Sequence, residues 1–177
     1  MRIVAGKYRG LHLVSPKGRR VRPTADRVRE AIFNILGIDL SDLWVLDLFA
    51  GSGVIGLEAK SRGVAKLISI ESERTACQAM QKIQQAWHID DWTVQAGKLP
   101  QSLPPAQHFD LIFADPPYAK GLAEQVPAWL EKAGISYQVL VIEETSRITP
   151  KWKNNFIPTK QRKYSETTLY FFEPGAE

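Results

Sequence analysis

Val45-Leu-Asp-Leu-Phe-Ala-Gly-Ser-Gly-Val-Ile-Gly-Leu-Glu58 reads as a buried strand, a glycine turn and the start of a helix. Gly51, Gly53 and Gly56 have the spacing G-x-G-x-x-G, which lets main chain approach a ligand closely and lets the helix pack tightly on its strand. The same spacing also serves a plain strand-to-helix turn, so the surrounding residues must decide its use.

Upstream, Val28, Ala31, Ile32, Ile35 and Leu36 recur with helical period behind Thr24, a good N-cap residue, and Gly37 is a natural stop. Downstream, a helix to about Gly63 and a strand from Lys66 to Ile70 complete a right-handed β-α-β unit, with Glu71 at the strand end. Ser72 is placed to cap the next helix, whose apolar stripe is Ala76, Met80, Ile83 and Trp87. Strands follow at Trp92–Ala96, Phe109–Ala114 and Val139–Ile142, with a helix around Leu122, Val126, Trp129 and Leu130 that holds Pro127 at an early turn or a kink. Phe156 to Phe172 suggests an antiparallel pair at the sheet edge. Met1 to Ser15 suggests a short hairpin with Lys7, Tyr8 and Arg9 at its tip. This alternation predicts one open, mostly parallel α/β sheet, whose ligands lie outside the carboxyl ends of the strands, where the glycine turn, Glu71 and Asp115 all fall.

A chain of 177 residues with 44% hydrophobic content suits one globular unit with modest additions. Its apolar runs fall far short of the roughly 18 residues that a membrane span needs, and no secretory pattern follows the basic start, so the expected location is the cytoplasm. Cys77 has no partner for a disulfide, and His12, His88 and His108 lack metal-ligand spacing, so no metal is expected. The first thirty residues hold nine Lys or Arg against two acids, a net +7 that leaves −3 for the remainder of a +4 chain. A second basic cluster runs from Arg147 to Lys163. Such asymmetry suggests a polyanionic partner, with a solvated basic face as the plainer alternative. The candidate contacts are Arg2, Lys7, Tyr8, Arg9, Arg19, Arg20 and Arg22, with Tyr8 offering a ring for base stacking. The expected division is a basic hairpin and linker over 1–22 and a Rossmann-like unit over 23–177.

Two acids then guide the choice of cofactor. A dinucleotide presents a pyrophosphate to the helix N-terminus, where Asp47 would face an anion, whereas S-adenosylmethionine carries an ammonium and a sulfonium that an acid favours. Glu71 can accept from ribose hydroxyls in either case. Asp115-Pro116-Pro117-Tyr118 is a stiff turn rich in acceptors, because both prolines fix φ and lack N–H groups. Asp115 and the Pro116 carbonyl can accept from an exocyclic amine and orient its lone pair, while Tyr118 offers a face to a planar base that is flipped out or already unpaired. A rigid turn closing a strand is the plainer alternative.

The opening Arg2-Ile-Val-Ala-Gly-Lys-Tyr-Arg-Gly10, the helix Arg22-Pro-Thr-Ala-Asp-Arg-Val-Arg-Glu-Ala-Ile-Phe-Asn-Ile-Leu36, the loop Asp47-Leu-Phe-Ala-Gly-Ser-Gly53 and Asp115-Pro-Pro-Tyr118 resemble the RsmD family of bacterial 16S ribosomal RNA guanine-N2 methyltransferases. The resemblance covers most of the chain. It implies a class I S-adenosylmethionine-dependent methyltransferase fold, with a mostly parallel seven-stranded sheet, an antiparallel C-terminal strand and a small N-terminal β-hairpin appendage that grips RNA. It also implies that Phe49, Ala50, Gly51, Ser52 and Gly53 hold the cofactor together with Asp47, Glu71 and Asp115, and that the helix with Thr24, Arg27 and Glu30 lies near its methionine end. Many relatives carry a polar residue after the third strand to meet the adenine amine. Here the stretch is Gln95-Ala-Gly-Lys-Leu99, with Leu99 as a candidate wall for the ring.

The expected protein is therefore a monomeric enzyme acting on 16S ribosomal RNA, with the naked RNA and a partly assembled small subunit both open as substrate forms. A DNA adenine-N6 methyltransferase shares the motif pair but usually adds a recognition domain that this chain has no room for. An NAD-dependent oxidoreductase explains the glycines but leaves Asp115 to Tyr118 without a role. Removal of the first fifteen residues is expected to weaken RNA binding and spare the cofactor.

Overall fold

The apolar runs become strands buried on both faces, as a parallel sheet covered by helices requires. The computed structural model describes residues 1–13, 23–37, 40–153 and 156–174, and for residues 23–26 the main chain alone. Its elements are α1 (Pro23–Leu36), β1 (Trp44–Leu48), α2 (Val54–Ser61), β2 (Lys66–Glu71), α3 (Arg74–Ala86), β3 (Trp92–Ala96), β4 (His108–Ala114), α4 (Val126–Lys132), β5 (Ser136–Thr145), β6 (Lys160–Tyr164) and β7 (Thr167–Phe172). They form one sheet in the order β3-β2-β1-β4-β5-β7-β6. β1 to β5 are mutually parallel, and β7 pairs antiparallel with both β5 and β6.

Strand alternation sends side chains to two cores. On one face Val45, Leu67, Leu111, Phe113 and Val141 meet Val28, Ile32 and Phe33 of α1, Leu57 of α2 and Met80 of α3. On the other, Leu46, Leu48, Ile112, Leu140 and Ile142 meet Val126 and Leu130 of α4. Irregular segments complete this second face. Trp152 packs its ring edge against Tyr170 at 5.2 Å and against Phe172 at 4.9 Å, and Leu99 and Leu103 cover the other end.

Several local expectations change. α1 begins at Pro23, where the fixed φ and missing N–H suit a first turn, so the helix starts ahead of Thr24, whose side chain lies outside the described residues. Gly37 ends it with φ +94°, as anticipated. Ser72 does not cap α3; its hydroxyl donates to Glu71 at 3.1 Å, and the N-cap position belongs to Glu73. Trp87 follows the end of α3, is 49% exposed and leaves the buried stripe to Ala76, Cys77 and Met80. The helix expected from Leu122 divides into a 3₁₀ turn over Ala123–Gln125 and α4, with Pro127 in the first turn. β7 lies between β5 and β6, so the antiparallel pair contributes an inner strand and an edge strand.

The N-terminal segment does pair as a hairpin: Arg2 and His12 form an antiparallel bridge, and Ile3 N–H donates to Leu11 O at 3.0 Å. Over residues 1–13 it is not a free appendage. Ile3, Leu11 and Leu13 join the first core. Glu58 of α2, 0% exposed, accepts the N–H groups of Val4 at 2.9 Å and Ala5 at 3.1 Å, and Arg62 closes on the same carboxylate at 3.0 Å. At the end of α2, Ser61 accepts the N–H of Lys7 on its carbonyl at 2.7 Å and that of Tyr8 on its hydroxyl at 2.8 Å. The Tyr8 ring therefore turns inward, 6% exposed and edge-on to Trp87 at 6.4 Å, and presents no open face for stacking.

Candidate active site

The carboxyl ends of β1 to β4 gather the site. β1 is followed by Phe49 with φ +60°, a left-handed conformation that costs a non-glycine residue on the order of 1–3 kcal/mol. The turn that follows is held from both sides. Ala50 N–H donates to Ile70 O at 3.0 Å, and Gly51 N–H donates to Glu71 Oε2 at 2.7 Å. Glu71 Oε1 receives Ser72 at 3.1 Å and Glu73 N–H at 2.8 Å. A carboxylate offers about four acceptor sites, so Oε2 retains capacity for a further donor such as a ribose hydroxyl.

The glycines divide their work. A Cβ on Gly53, which has φ +75°, would meet the Met80 sulfur at 2.6 Å. A Cβ on Gly56 would meet Asp47 Oδ2 at 2.9 Å and the Leu67 methyls at 3.0 and 3.1 Å. Gly53 therefore lets the turn close on Met80 of α3, and Gly56 lets α2 pack closely on the sheet. The Gly56 N–H donates to Asp47 Oδ2 at 3.2 Å.

Asp47 is 4% exposed, and its carboxyl is pushed up to about 7 by burial, with repulsion from Glu71 adding to the shift and the Gly56 hydrogen bond opposing it. A buried acid beside a second acid suits a cationic group and resists a pyrophosphate. This donor set fits S-adenosylmethionine better than a dinucleotide.

At the end of β4, Asp115 N–H donates to Leu48 O at 3.4 Å, which ties the turn to β1. Pro116 is buried and Pro117 exposed. Tyr118 donates its hydroxyl to Glu143 and lies 3.3 Å from Thr167 Oγ1. Burial, then the charges of Glu143 and Asp115, pushes this phenol above its ordinary range, so it stays neutral. Glu144, 3% exposed, accepts the N–H of Ala119 at 3.3 Å and of Thr145 at 2.7 Å. Tyr118, Ala119, Thr145, Arg147, Ile148 and Glu166 line a cleft of about 360 Å³ beside this turn.

The structure thus brings Asp47, Phe49, Ala50, Gly51, Ser52, Gly53, Glu71 and Asp115 to one edge of three neighbouring strands, β2, β1 and β4. Leu99, after β3, is half-buried against the same second core as Phe49. Arg27 is exposed on α1, and Arg2, Lys7 and Arg9 are exposed on the hairpin. Arg19, Arg20 and Arg22 lie outside the described residues, as does the side chain of Thr24. Glu143 and Glu144 escaped the sequence reading, although an apolar strand that ends in two acids is the same signal that Glu71 and Asp115 gave. Among the described residues no group of three His, Cys, Asp or Glu side chains is arranged to hold a metal ion.

A parallel sheet with its reversed β7 between β5 and β6, and a glycine turn at the end of β1 braced by an acid at the end of β2, defines a class I S-adenosylmethionine-dependent methyltransferase. The chain belongs to the family described as Conserved hypothetical protein 95, which matches residues 1–173 and is the RsmD family that its motifs resemble. Ribosomal RNA small subunit methyltransferase D of Haemophilus influenzae is 36% identical over 159 residues, 85% of this chain and 81% of that protein. The protein of the same name in Escherichia coli strain K12 is 37% identical over 142 residues, 76% of this chain and 68% of that protein. Among solved structures, "Putative methyltransferase yhhF from Escherichia coli" superposes with a TM-score of 0.86 at 30% identity, covering 100% of this chain and 99% of that one.

Proposed function

We propose that this chain methylates the exocyclic N2 amine of a guanine in 16S ribosomal RNA, acting as a cytoplasmic monomer on the naked RNA or on a partly assembled small subunit. The observation that carries the reading is the Asp115–Tyr118 turn, braced by Glu143 and Glu144 beside an open cleft. Relatives named for small-subunit ribosomal RNA support the substrate class.

S-adenosylmethionine supplies an electrophilic methyl group when bound. Glu71 would accept from its ribose hydroxyls, Asp47 and Asp115 would favour its positive end, and Leu99 with Phe49 would wall its adenine. Thr24 and Arg27 serve the methionine end. In the acceptor, the amine lone pair is delocalised into the ring. Asp115 and the Pro116 carbonyl accept its two N–H groups and turn the lone pair out of the ring plane, which lowers the barrier to attack. Tyr118, a neutral phenol fixed through its hydroxyl, positions the base. Residues 1–22 contribute cationic contacts to RNA through Arg2, Lys7, Arg9, Arg19, Arg20 and Arg22.

The test is incubation with labelled S-adenosylmethionine and unmodified small-subunit RNA, free and in particles, followed by nuclease digestion and mass mapping. The expected product is N2-methylguanine at one position. A methyl on adenine, or on DNA alone, would overturn the assignment.

A further inference from the structure

We infer that the sheet edge formed by β6, together with the segment that leaves β5, is a second RNA-docking flank that leads substrate into the cleft beside Tyr118. The inference rests on the reading of RNA as substrate. Between Arg147 and Lys163 the chain holds six Lys or Arg and no Asp or Glu. β6 is one of the two edge strands of the sheet, the other being β3. Its register places Arg162 opposite Leu169 and Lys163 opposite Thr168, so the two cations project from opposite faces of the edge, and both are exposed. Lys151 and Lys153 extend the exposed charge on the chain between β5 and β6.

This strip joins the cleft directly. Ser146 N–H donates to Glu166 O at 2.8 Å, its hydroxyl meets Thr168 Oγ1 at 2.8 Å, and Arg147 pairs with Glu166 at 2.7 Å. Arg147 is therefore both a wall of the cleft and the first cation of the strip. Its side chain is 78% exposed and that of Glu166 50%, so the pair is held weakly and a phosphate can take the place of Glu166. Among the described residues, Glu166 and Glu124 are acids bonded to the strip, Glu124 accepting Lys151 N–H at 2.7 Å. Guarding an edge strand against pairing with another sheet accounts for a charge or two on β6. It does not account for a run of one sign that continues off the strand to the acceptor cleft, where solubility alone favours mixed signs.

The location also complements the N-terminal cations. Lys7 is bonded to the last residue of α2, away from the glycine turn where that helix begins, whereas Arg147 lies past the carboxyl end of β5. The strip thus adds described basic surface beside the acceptor turn, where Lys120 is also exposed.

The experiment compares the full chain, the Arg162→Glu/Lys163→Glu variant and a Lys82→Glu/Lys132→Glu control of equal charge change, whose sites are exposed on α3 and α4. The probe is 16S ribosomal RNA transcribed in vitro. Readouts are its dissociation constant across a salt series, KM and kcat for methyl transfer, and calorimetric affinity for S-adenosylmethionine. The β6 variant should bind RNA roughly ten-fold more weakly, with the slope of log affinity against log salt reduced by about 1–2, a raised KM and unchanged cofactor affinity. The control should stay within about two-fold of wild type. Equal RNA binding by the β6 variant and wild type, or an equal loss in the control, overturns the flank, as does a wild type that does not bind RNA. A wild type that binds RNA but transfers no methyl refutes the proposed reaction, while the binding comparison still decides the flank.

Discussion

Glu71 at the end of β2 accepts the main-chain N–H of Gly51 at 2.7 Å, so one acid both shapes the glycine turn and faces the edge where the cofactor is expected. Glu71→Gln keeps one carbonyl acceptor to share among Gly51, Ser72, Glu73 and the ribose. Its affinity for S-adenosylmethionine should fall at least about ten-fold, while stability changes by roughly 1 kcal/mol. Calorimetry paired with urea unfolding separates the two effects, and wild-type cofactor affinity in the variant would remove Glu71 from the site.

Asp47 predicts a pH dependence of defined sign. Its carboxyl is raised from 3.8 to about 7 in the folded chain, so the native state holds this proton more tightly than the unfolded state does. Its contribution to stability is therefore fullest below about pH 4, declines as pH rises towards 7 and then levels off. Asp47→Asn should lose that decline and gain up to a few kcal/mol over wild type at pH 8, with little difference at pH 4. The same variant should bind a cationic cofactor more weakly. Parallel stability curves for the two proteins between pH 4 and 8 would contradict the assignment.

Breaking the buried contacts of Glu58 should affect the whole fold. Glu58→Ala leaves the N–H groups of Val4 and Ala5 and the guanidinium of Arg62 without their acceptor, a loss of about 3–5 kcal/mol. At roughly 2–4 °C per kcal/mol for a chain of this size, calorimetry should detect it easily. Deleting the first fifteen residues removes Ile3, Leu11 and Leu13 from the core as well, so we expect that truncation to destabilise the protein and not to act on RNA binding alone. A truncated chain with wild-type melting temperature would refute this.

The acceptor turn supplies the sharpest test of chemistry. Asp115→Ala should reduce methyl transfer by at least about 10³-fold, because an oriented acceptor at the reacting nitrogen is lost, with the fold intact. Tyr118→Phe removes the hydroxyl held by Glu143 and Thr167, and kcat should drop about ten-fold through looser positioning. Turnover at the wild-type rate in the Asp115 variant would sink its assigned role.

Much of the edge was legible from sequence because strand ends announce themselves. An apolar run that stops at Glu71, or at Asp115 followed by two prolines, marks both the end of the strand and a polar group outside the sheet. The strand order then brings those ends together. The orientation of Tyr8 was not legible, since it depends on Ser61, a residue 53 positions away that reads locally as the solvated end of a helix. Trp87 looked like the last member of an apolar stripe, but the helix stopped one residue before it. Gly56 has the packing role that the glycine spacing allowed, set by its distances to Asp47 and Leu67. Only for Tyr8 did a partner remote in sequence decide the outcome.

The anchoring of residues 4 to 8 on α2 also sets an order of assembly. The contacts of Val4, Ala5 and Tyr8 span 53 or 54 positions, so during synthesis the earliest residues must wait until Ser61 has cleared the ribosome before they can dock. Long-range closure of this kind is slow. Residues 4 to 8 are thus made before the helix that secures them, and Ile3, Leu11 and Leu13 lack their core partners until it forms.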